Sequence, residues 1–288
     1  MRVLVTGAAG QVGRLLLETC PGDIEAIATA RSDLDIRDAA AVRARMLRDR
    51  PDLIINTAAY TAVDKAESDP QAARAINAEA PAVLAAAARE IAARLIHLST
   101  DFVFDGRAST PYRPDAPTHP LNVYGRTKRD GEEAVLRGLG SHAVILRTAW
   151  VYCAHGANFM HTMLRLLRAR GEVSVVADQV GTPTAARSVA QVLWQIAARR
   201  EIQGIHHWTD AGVASWYDFA VAIAEEAVAL GLLPPAAAVT PIATEEYPTP
   251  ARRPAYSVLD KRSLAALGLI PRHWRQRLRE VLQELPHG

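Results

Sequence analysis

The chain has 288 residues, of which 49% are hydrophobic and 22% are charged, and its formal net charge is +2. This length suits one large α/β domain or a domain with a smaller lobe, and so small a charge gives no reason to expect binding to nucleic acid or to an anionic membrane surface. Two cysteines are too few for a disulfide framework, the predicted first strand leaves no room for a signal peptide, and no apolar run approaches the roughly 20 residues of a membrane span, so we expect a cytoplasmic protein.

A glycine-rich turn follows the first predicted strand, Arg2–Thr6, and leads into an apolar helix. Its glycines, Gly7, Gly10 and Gly13, have the spacing G-x-x-G-x-x-G. Glycine permits a tight turn and a close approach of the backbone, and the N-terminus of a helix offers N–H groups to a phosphate. Glycines also mark ordinary turns, but at the start of an alternating β/α chain this pattern predicts a dinucleotide site.

The end of the second strand, predicted near residues 24–29, is where such a fold selects its cofactor. An acid at this point binds the ribose 2′-hydroxyl of NAD. This chain has Arg31 instead, which can accept the 2′-phosphate of NADPH or can simply be a loop arginine. Asp33 and Asp35 follow and can contact ribose or adenine. We therefore expect NADPH to be preferred, with NADH as the alternative cofactor.

The third and fourth strands are predicted to end in residues suited to a site. A helix is predicted near 38–49 before the third strand, and a polar loop at 61–67 and a helix at about 70–92 after it. After the third strand, near 53–55, the small residues Ala58 and Ala59 allow a cofactor to lie against the backbone. The fourth strand, near 95–98, leads to Thr100 and Asp101. A threonine hydroxyl there can hold a substrate carbonyl, or it can cap the end of the strand. Asp101 and Asp105 can be read as paired carboxylates, but Asp105-Gly106 is more typical of a turn.

Tyr124 and Lys128 lie four residues apart in a helix predicted to follow Pro117 and Pro120, so both face the same side. A phenol beside an ammonium can act as a general acid, because the cation lowers its pKa from about 10. The alternative is a solvated surface pair. The chain has only three lysines among its 33 basic residues, so a lysine at position 128 favours function.

The second half of the chain alternates less regularly. A strand near 143–146 leads to Trp150, which can pack on a substrate ring or in the core. Further helices are predicted near 158–170, 185–199, 215–230 and 272–285, with strands near 173–177 and 204–208 and a Pro-rich segment at 234–254. The predicted fold class is α/β, a Rossmann-type doubly wound parallel sheet with a smaller C-terminal substrate-binding lobe. We place the NAD(P)-binding domain at 1–151, with about 182–204 packing back onto it, and the lobe at about 152–181 and 205–288.

The glycine turn, the hydroxyl residue after the fourth strand and the Tyr-x-x-x-Lys pair together resemble the extended short-chain dehydrogenase/reductase family. Longer strings resemble the dTDP-4-dehydrorhamnose reductases within that family, and the match runs nearly from end to end. These strings are Gly10–Gly13, Asn56–Glu67, Ser99–Gly106, Asn122–Lys128, Arg147–Tyr152, Gly181–Thr184 and Arg253-Pro254.

The resemblance implies hydride transfer from NADPH, or NADH, to the keto carbon of a small-molecule nucleotide sugar, dTDP-4-dehydro-β-L-rhamnose, giving dTDP-L-rhamnose. It implies that Tyr124 is the general acid, that Lys128 lowers its pKa and holds the nicotinamide ribose, and that Thr100 bonds the carbonyl. Further implied contacts are Gly10, Gln11 and Val12 with the pyrophosphate, Asp35 and Ile36 with adenine, Ala58, Ala59 and Tyr60 with ribose, and Asp101 and Trp150 with the sugar.

Phe102 separates this chain from the dehydratases that share the implied fold. Those enzymes carry a glutamate at this position to remove the C5 proton, and a phenyl ring cannot act as a base. Two alternatives stay open: another NAD(P)-dependent nucleotide-sugar epimerase or reductase, and a non-catalytic NADP-binding regulatory subunit. The intact set of Thr100, Tyr124 and Lys128 disfavours the second.

The sequence also bears on metal binding and on the oligomeric state. The family can carry a magnesium-linked dimer that uses a glutamate just past the glycine turn. Residues 15–17 of this chain are all leucine, which argues against Mg²⁺ and leaves both a monomer and a homodimer open. The chain also has no Cys-x-x-Cys or His-x-x-x-His pattern, so we expect no metal. Cys153-Ala-His is a further departure, since the family usually has small residues there.

Overall fold

The computed structural model describes residues 1–235 and 237–286, so Ala236 of the predicted Pro-rich segment lies outside the described residues. The strands are β1 (Arg2–Thr6), β2 (Glu25–Thr29), β3 (Leu53–Asn56), β4 (Arg94–Thr100), β5 (Ala143–Thr148), β6 (Val151–Tyr152), β7 (Glu172–Val176), β8 (Val180–Gly181), β9 (Thr184–Ala185), β10 (Gly204–His207), β11 (Ala214–Ser215) and β12 (Ala238–Ile242). The helices are α1 (Gln11–Glu18), α2 (Ala39–Asp49), α3 (Val63–Ser68), α4 (Pro70–Arg74), α5 (Ala80–Glu90), α6 (Val123–Leu139), α7 (Phe159–Arg170), α8 (Ala186–Ala197), α9 (Trp216–Ala229), α10 (Arg262–Ala265) and α11 (Trp274–Gln283).

A six-stranded parallel sheet organises the molecule, in the order β2-β1-β3-β4-β5-β10. The direction of winding reverses between β1 and β3, and ligands of such sheets bind outside the carboxyl ends of the strands at this point. The register sets Thr6 opposite Asn56 and Thr100 opposite Thr148. Residues that follow four of these strands therefore meet at one edge of the sheet, and the predicted Rossmann-type α/β fold is confirmed.

Helices cover both faces of this sheet, which explains the almost continuous apolar sequence of its inner strands. On one face, Leu16 of α1 and Val189 of α8 are fully buried against the sheet. On the other, Leu84 of α5 and Val135 of α6 are equally buried. The indole Nε1 of Trp194 donates to Leu16 O at 3.1 Å, which holds α8 against α1.

A second hydrophobic core lies in the C-terminal half, built by α7, α9 and α11. Leu167, Phe219 and Leu278 are fully buried there. The parallel pair β7–β12 packs on the same cluster. Sequence patterning does not predict β12, because it lies in the Pro-rich segment; its Pro241 cannot donate to a ladder, which an edge strand tolerates.

Three elements differ from the sequence-based expectation. The loop predicted at 61–67 contains α3, and the single helix predicted at 70–92 is α4 and α5 joined by a π-helical turn at Ala75–Glu79. The predicted lobe boundary at 205 also differs from the structure, since β10 pairs with β5 and completes the central sheet. A four-residue strand reveals no partner in its own sequence; the open edge of β5 supplies one. Within the described ranges, no helix is long and apolar enough to span a membrane.

Candidate functional site

The carboxyl ends of β1, β3, β4 and β5 open into one cleft with a cavity of about 670 Å³. Most of the residues singled out by sequence line it: Gly7, Gly10, Gln11, Val12, Arg31, Asp35, Ile36, Ala58, Ala59, Thr100, Asp101, Tyr124, Lys128 and Trp150. Gly13 and Tyr60 do not line it. The backbone N–H of Tyr60 donates to Asn77 Oδ1 at 2.8 Å, which fastens this residue to the π-helical turn.

The glycine turn is compressed between β3 and α1. Gly7 has a φ of 70°, and a Cβ there would lie 2.6 Å from Ala58 N. A Cβ on Gly13 would lie 2.2 Å from Gly7 O, so Gly13 acts by letting α1 approach the turn. Among the described residues, no side chain caps α1 at Gly10. The first N–H groups of α1 are thus available to an anion, which suits a pyrophosphate.

Two guanidinium groups, those of Arg31 and Arg37, line the end of the cleft beyond β2. Arg37 Nε donates to both carboxylate oxygens of Asp35, at 2.9 and 3.1 Å, and this hydrogen bonding holds the pKa of the Asp35 carboxyl well below its usual range. Asp33 is engaged elsewhere, since its Oδ2 accepts from Ala30 N at 2.9 Å. This end of the cleft therefore carries two guanidinium groups, one of which is already paired with a carboxylate.

The start of α6 brings Tyr124 to the turn that follows β4. Asn122 caps the helix by accepting from Gly125 N at 2.8 Å, and its Nδ2 donates to Arg252 O at 2.8 Å. A Cβ on Gly125 would lie only 2.1 Å from Phe102 O, so glycine lets the helix rest directly on the turn. Tyr124 consequently faces the cleft beside Thr100.

Tyr124 and Lys128 are buried with opposite consequences for their protons. Burial raises the pKa of Tyr124 to about 12, with the Thr100 hydroxyl opposing the rise and the Asp101 charge adding to it. Burial lowers the pKa of Lys128 to about 8, partly offset by Glu132. The predicted lowering of the Tyr124 pKa by the lysine is therefore wrong for this structure: Lys128 Nζ donates to Leu98 O at 2.7 Å. Tyr124 is therefore a protonated phenol in this state.

Thr100 and Asp101 form the floor of the cleft beside Tyr124. Thr100 Oγ1 accepts from Phe102 N at 3.2 Å and donates to Asp101 Oδ1 at 3.1 Å, so it both caps the turn and faces the cavity. Burial raises the pKa of Asp101 to about 6, and its Oδ2 has no partner within the described residues. The Ser257 and Thr100 hydroxyls oppose this rise in pKa, and a buried carboxylate oxygen without a partner is uncommon in a folded protein. Asp105 instead accepts from Arg107 N at 3.1 Å, the local contact of the turn that its sequence predicts, and from Tyr112 Oη at 2.7 Å.

Trp150 stands at the opposite wall with a φ of 49°, in the left-handed region that non-glycine residues seldom adopt. Its ring stacks on Trp216, with centroids 3.5 Å apart and planes 6° apart. Gly181 lies so close behind that a Cβ there would sit 2.6 Å from the Trp150 indole. The two indoles, both lining the cleft, form a rigid flat wall suited to an apolar sugar face.

A family model described as RmlD substrate binding domain matches residues 1–286. The chain belongs to this family. It is 44% identical over 275 residues to the dTDP-4-dehydrorhamnose reductase of Burkholderia thailandensis, covering 92% of each chain. It is 43% identical over 282 residues to the dTDP-4-keto-6-deoxy-D-glucose reductase of Streptomyces niveus, covering 97% of this chain and 96% of that one.

Two solved structures of dTDP-4-dehydrorhamnose reductases match the fold closely. The one from Clostridium acetobutylicum has a TM-score of 0.92 and 41% identity, covering 98% of this chain and 99% of that one. The one from Bacillus anthracis, in complex with NADP, has a TM-score of 0.92 and 34% identity with the same coverage.

Arg37, Trp216 and Arg253 also line the cleft, and the sequence patterns assign none of them a role. Arg37 is two residues from Asp35, and the short Asp-x-Arg spacing is a signal for their ion pair. Arg253 holds Asp64 in a bidentate pair, at 3.0 and 2.8 Å. A Ser215–Asp218 capping box begins α9, but nothing near Trp216 in the sequence indicates that it meets Trp150.

The side chains of the described residues also determine whether a metal ion can be bound. Over the part of the chain that the structure describes, no group of three or more His, Cys, Asp or Glu side chains could hold a metal ion. Leu15 and Leu16, just past the glycine turn, are buried in the core.

Proposed function

We propose that this protein reduces the C4 keto group of a dTDP-linked deoxysugar with NADPH, converting dTDP-4-dehydro-β-L-rhamnose to dTDP-L-rhamnose. The observation that carries the proposal is a protonated, buried Tyr124 beside Thr100 in a cleft with a phosphate cradle at its other end. Membership of the family and the activity named for the Burkholderia thailandensis relative at 44% identity support the same reaction.

The described residues fit a nicotinamide dinucleotide. The compressed glycine turn and the uncapped start of α1 would hold the pyrophosphate, and Ala58 and Ala59 would lie along the ribose. Arg31 and Arg37 would hold a 2′-phosphate, which favours NADPH over NADH. When bound, the reduced cofactor supplies the hydride; the protein supplies orientation and proton transfer.

The residues around the keto group would transfer the proton and hold the substrate in place. Tyr124 would donate its phenolic proton to the C4 oxygen as negative charge develops there, and the Thr100 hydroxyl would hold that oxygen in place. Asp101 Oδ2 would accept a sugar hydroxyl. Trp150 and Trp216, together with Arg253, would form the sugar-nucleotide side of the cleft, so the second half of the chain acts as the substrate-binding lobe.

Phe102 distinguishes reduction from dehydration. Its ring meets Tyr124 edge-on, with centroids 5.6 Å apart and planes at 76°. A dehydratase needs a carboxylate at this position to remove a proton from the sugar carbon, and this chain presents an apolar ring edge instead. The proposed chemistry therefore stops at the reduction of the carbonyl.

The decisive measurement is the consumption of NADPH in the presence of dTDP-4-dehydro-L-rhamnose, comparing the parent with Tyr124→Phe. Loss of a general acid should slow turnover by about 10²–10⁴-fold. Tyr247→Phe is the matched control, since Tyr247 is 61% exposed and lies outside the cleft lining. A parent without turnover would refute the reductase, whereas a fully active Tyr124→Phe would refute only the role of Tyr124. Lys128→Arg should also be slow, because a planar guanidinium fork does not fit where the compact Nζ group of lysine is buried.

A second sugar is favoured by the Streptomyces niveus relative, which is named for dTDP-4-keto-6-deoxy-D-glucose. The two sugars share the keto group and the nucleotide, and they differ in the configuration of ring carbons that the Trp150–Trp216 wall would contact. Comparing kcat/KM for both sugars with the same enzyme preparation decides between them. We expect the rhamnose precursor to be preferred, and a higher kcat/KM for the glucose-derived sugar would transfer the assignment to it.

A further inference from the structure

A chain of buried polar groups runs beneath the cleft from the end of β3 to Lys128. Asn56 and His97 are completely buried and Lys128 is 1% exposed. Asn56 Nδ2 lies 2.9 Å from His97 Nδ1, and His97 Nε2 lies 3.3 Å from Lys128 Nζ. The proposed reduction gives His97 and Asn56 no role. Both side chains nevertheless connect the end of β3 to Lys128, which lines the cleft.

The orientation of the Asn56 amide follows from its neighbours. Asn56 Oδ1 accepts from the backbone N–H of Ala58 at 3.1 Å and from Thr6 Oγ1 at 2.6 Å. A backbone N–H can only donate, so the amide oxygen must lie on that side. The amide nitrogen of Asn56 therefore points at His97 Nδ1 and donates to it.

The contact with Asn56 determines which ring nitrogen of His97 carries the proton. An amide NH₂ group cannot accept, so His97 Nδ1 must carry its lone pair toward Asn56. Burial and the nearby charge of Lys128 lower the pKa of His97 well below its ordinary value, so the ring is neutral and its single proton lies on Nε2. This Nε2–H points at Lys128 Nζ. It can donate to the lone pair of an amine, but it opposes an ammonium.

The other groups around Lys128 offset this opposition only in part, since the charge of Glu132 raises the Lys128 pKa less than burial lowers it. Leu98 O on β4 accepts from Nζ at 2.7 Å. Glu132, one turn along α6, is held by Arg147 of β5 at 2.9 and 2.7 Å and by the Ser99 hydroxyl.

The nearest elements contribute no competing partner. On α3, Asp64 pairs with Arg253, and Glu67 accepts from Val123 N at 2.7 Å. Asp101 beyond β4 and Tyr124 on α6 also line the cleft, and Arg31, Asp35 and Arg37 line its end beyond β2. Within residues 1–235 and 237–286, no carboxylate forms an ion pair with Lys128.

We propose that His97 is a positioning residue for Lys128, presenting its Nε2–H to Nζ so that the amine form is favoured and the nitrogen stays fixed between β4 and the cleft. Burial lowers the Lys128 pKa to about 8, and the histidine N–H acts in the same direction. In the reduction, and resting on the proposed function, a Lys128 ammonium with a lowered pKa passes its proton to the phenolate of Tyr124 more readily than an ordinary lysine does, and it is left as the amine that the His97 N–H favours.

The test measures protonation directly and needs neither substrate nor cofactor, so failure of the proposed reductase activity would not alter its outcome. The chain has only three lysines, which makes carbon-13 NMR of selectively labelled lysine decisive. Lys65→Arg and Lys261→Arg identify the Lys128 signal. Nitrogen-15 NMR of labelled histidine reports the tautomer of His97, whose signals disappear in His97→Asn.

We expect the His97 proton on Nε2 and a Lys128 titration midpoint near 8 in the parent. His97→Leu removes the N–H while keeping the site apolar, and His97→Asn keeps an acceptor for Asn56. Both should raise the midpoint by about one pH unit. A proton on Nδ1, or an unchanged midpoint, would overturn the proposal. A rise of the Lys128 midpoint in His97→Asn but not in His97→Leu would also overturn it, because water that enters beside the smaller polar side chain would then explain the rise. If His97→Leu does not fold, the parent tautomer and the His97→Asn midpoint decide.

Discussion

Gly13→Ala tests the geometry of the phosphate cradle most directly. A Cβ at this position would lie 2.2 Å from Gly7 O and 2.8 Å from Ala8 Cα, both in the backbone of the glycine turn. No side-chain rotation can relieve these contacts, so the turn and the start of α1 must separate by about 1 Å to reach an ordinary contact distance. Overpacking of this kind costs about 1–3 kcal/mol. If the free protein relaxes by moving the turn, the cost falls on cofactor binding, and the Kd for NADPH rises about 5- to 150-fold.

Titration calorimetry with NADPH measures this effect, and thermal unfolding of the same variants detects any part of the cost that falls on stability instead. Gly22→Ala is the matched control, because no atom lies within 4 Å of its added Cβ and its φ is not positive. We expect the control to bind and melt as the parent does. If Gly13→Ala also binds NADPH with the affinity and Tm of the parent, the glycine turn is not the compressed cradle described above.

Three further predictions concern buried or paired charges. Glu132→Ala leaves Arg147, 2% exposed, without its carboxylate and should lower the free energy of unfolding in urea by about 3–5 kcal/mol. Asp101 has a folded pKa of about 6, raised from 3.8, so it destabilises the fold as pH rises through 6; Asp101→Asn should therefore add roughly 2–3 kcal/mol of stability at about pH 8 and little near pH 4. Arg31→Ala and Arg37→Ala should each raise KM for NADPH by up to about fivefold, with a smaller change for NADH.

Each of these outcomes has a clear contrary result. Glu133 is the neighbour of Glu132 with a side chain 54% exposed, so equal stability of Glu133→Ala and Glu132→Ala would refute the buried pair. A gain for Asp101→Asn that is independent of pH would show that the carboxyl does not titrate as described. If Arg37→Ala changes KM equally for NADPH and NADH, Arg37 does not contact the 2′-phosphate. Arg43→Ala, on the exposed face of α2, controls for the loss of one positive charge.

Local patterns predicted the elements whose residues act near one another in sequence. The glycine turn follows β1 and opens α1 because strand, turn and helix start are contiguous, and β3 and α2 end within a residue or two of the predicted bounds. The same locality made Tyr124 and Lys128 neighbours on α6. Where a strand depends on a distant partner, local patterns were insufficient: β12 was missed and exists because β7 offers an edge, and β10 was predicted as a strand but joins the central sheet because β5 offers one.

The surroundings of the predicted side chains were likewise predictable only where they depend on residues nearby in sequence. Spacing alone indicated that Tyr124 and Lys128 share a helical face, but it could not indicate that Lys128 would turn to Leu98 O and His97 on β4. As a result, the direction of the Tyr124 pKa shift was predicted wrongly. The stacking of Trp216 on Trp150 and the reach of Arg253 to Asp64 join residues 66 and 189 positions apart, beyond any local pattern.

By itself, then, the sequence determined the residue types of the site and their order along an alternating β/α chain. Hydrophobic periodicity, glycine spacing and helical spacing depend only on backbone geometry within a few residues, and they carry over directly from sequence to structure. The tertiary structure alone decided which carboxylates are already paired, which acceptor is left open in the cleft, and which form of His97 faces Lys128. Those properties arise from burial and from hydrogen bonds between strands far apart in sequence, and a proton's position depends on every group that surrounds it.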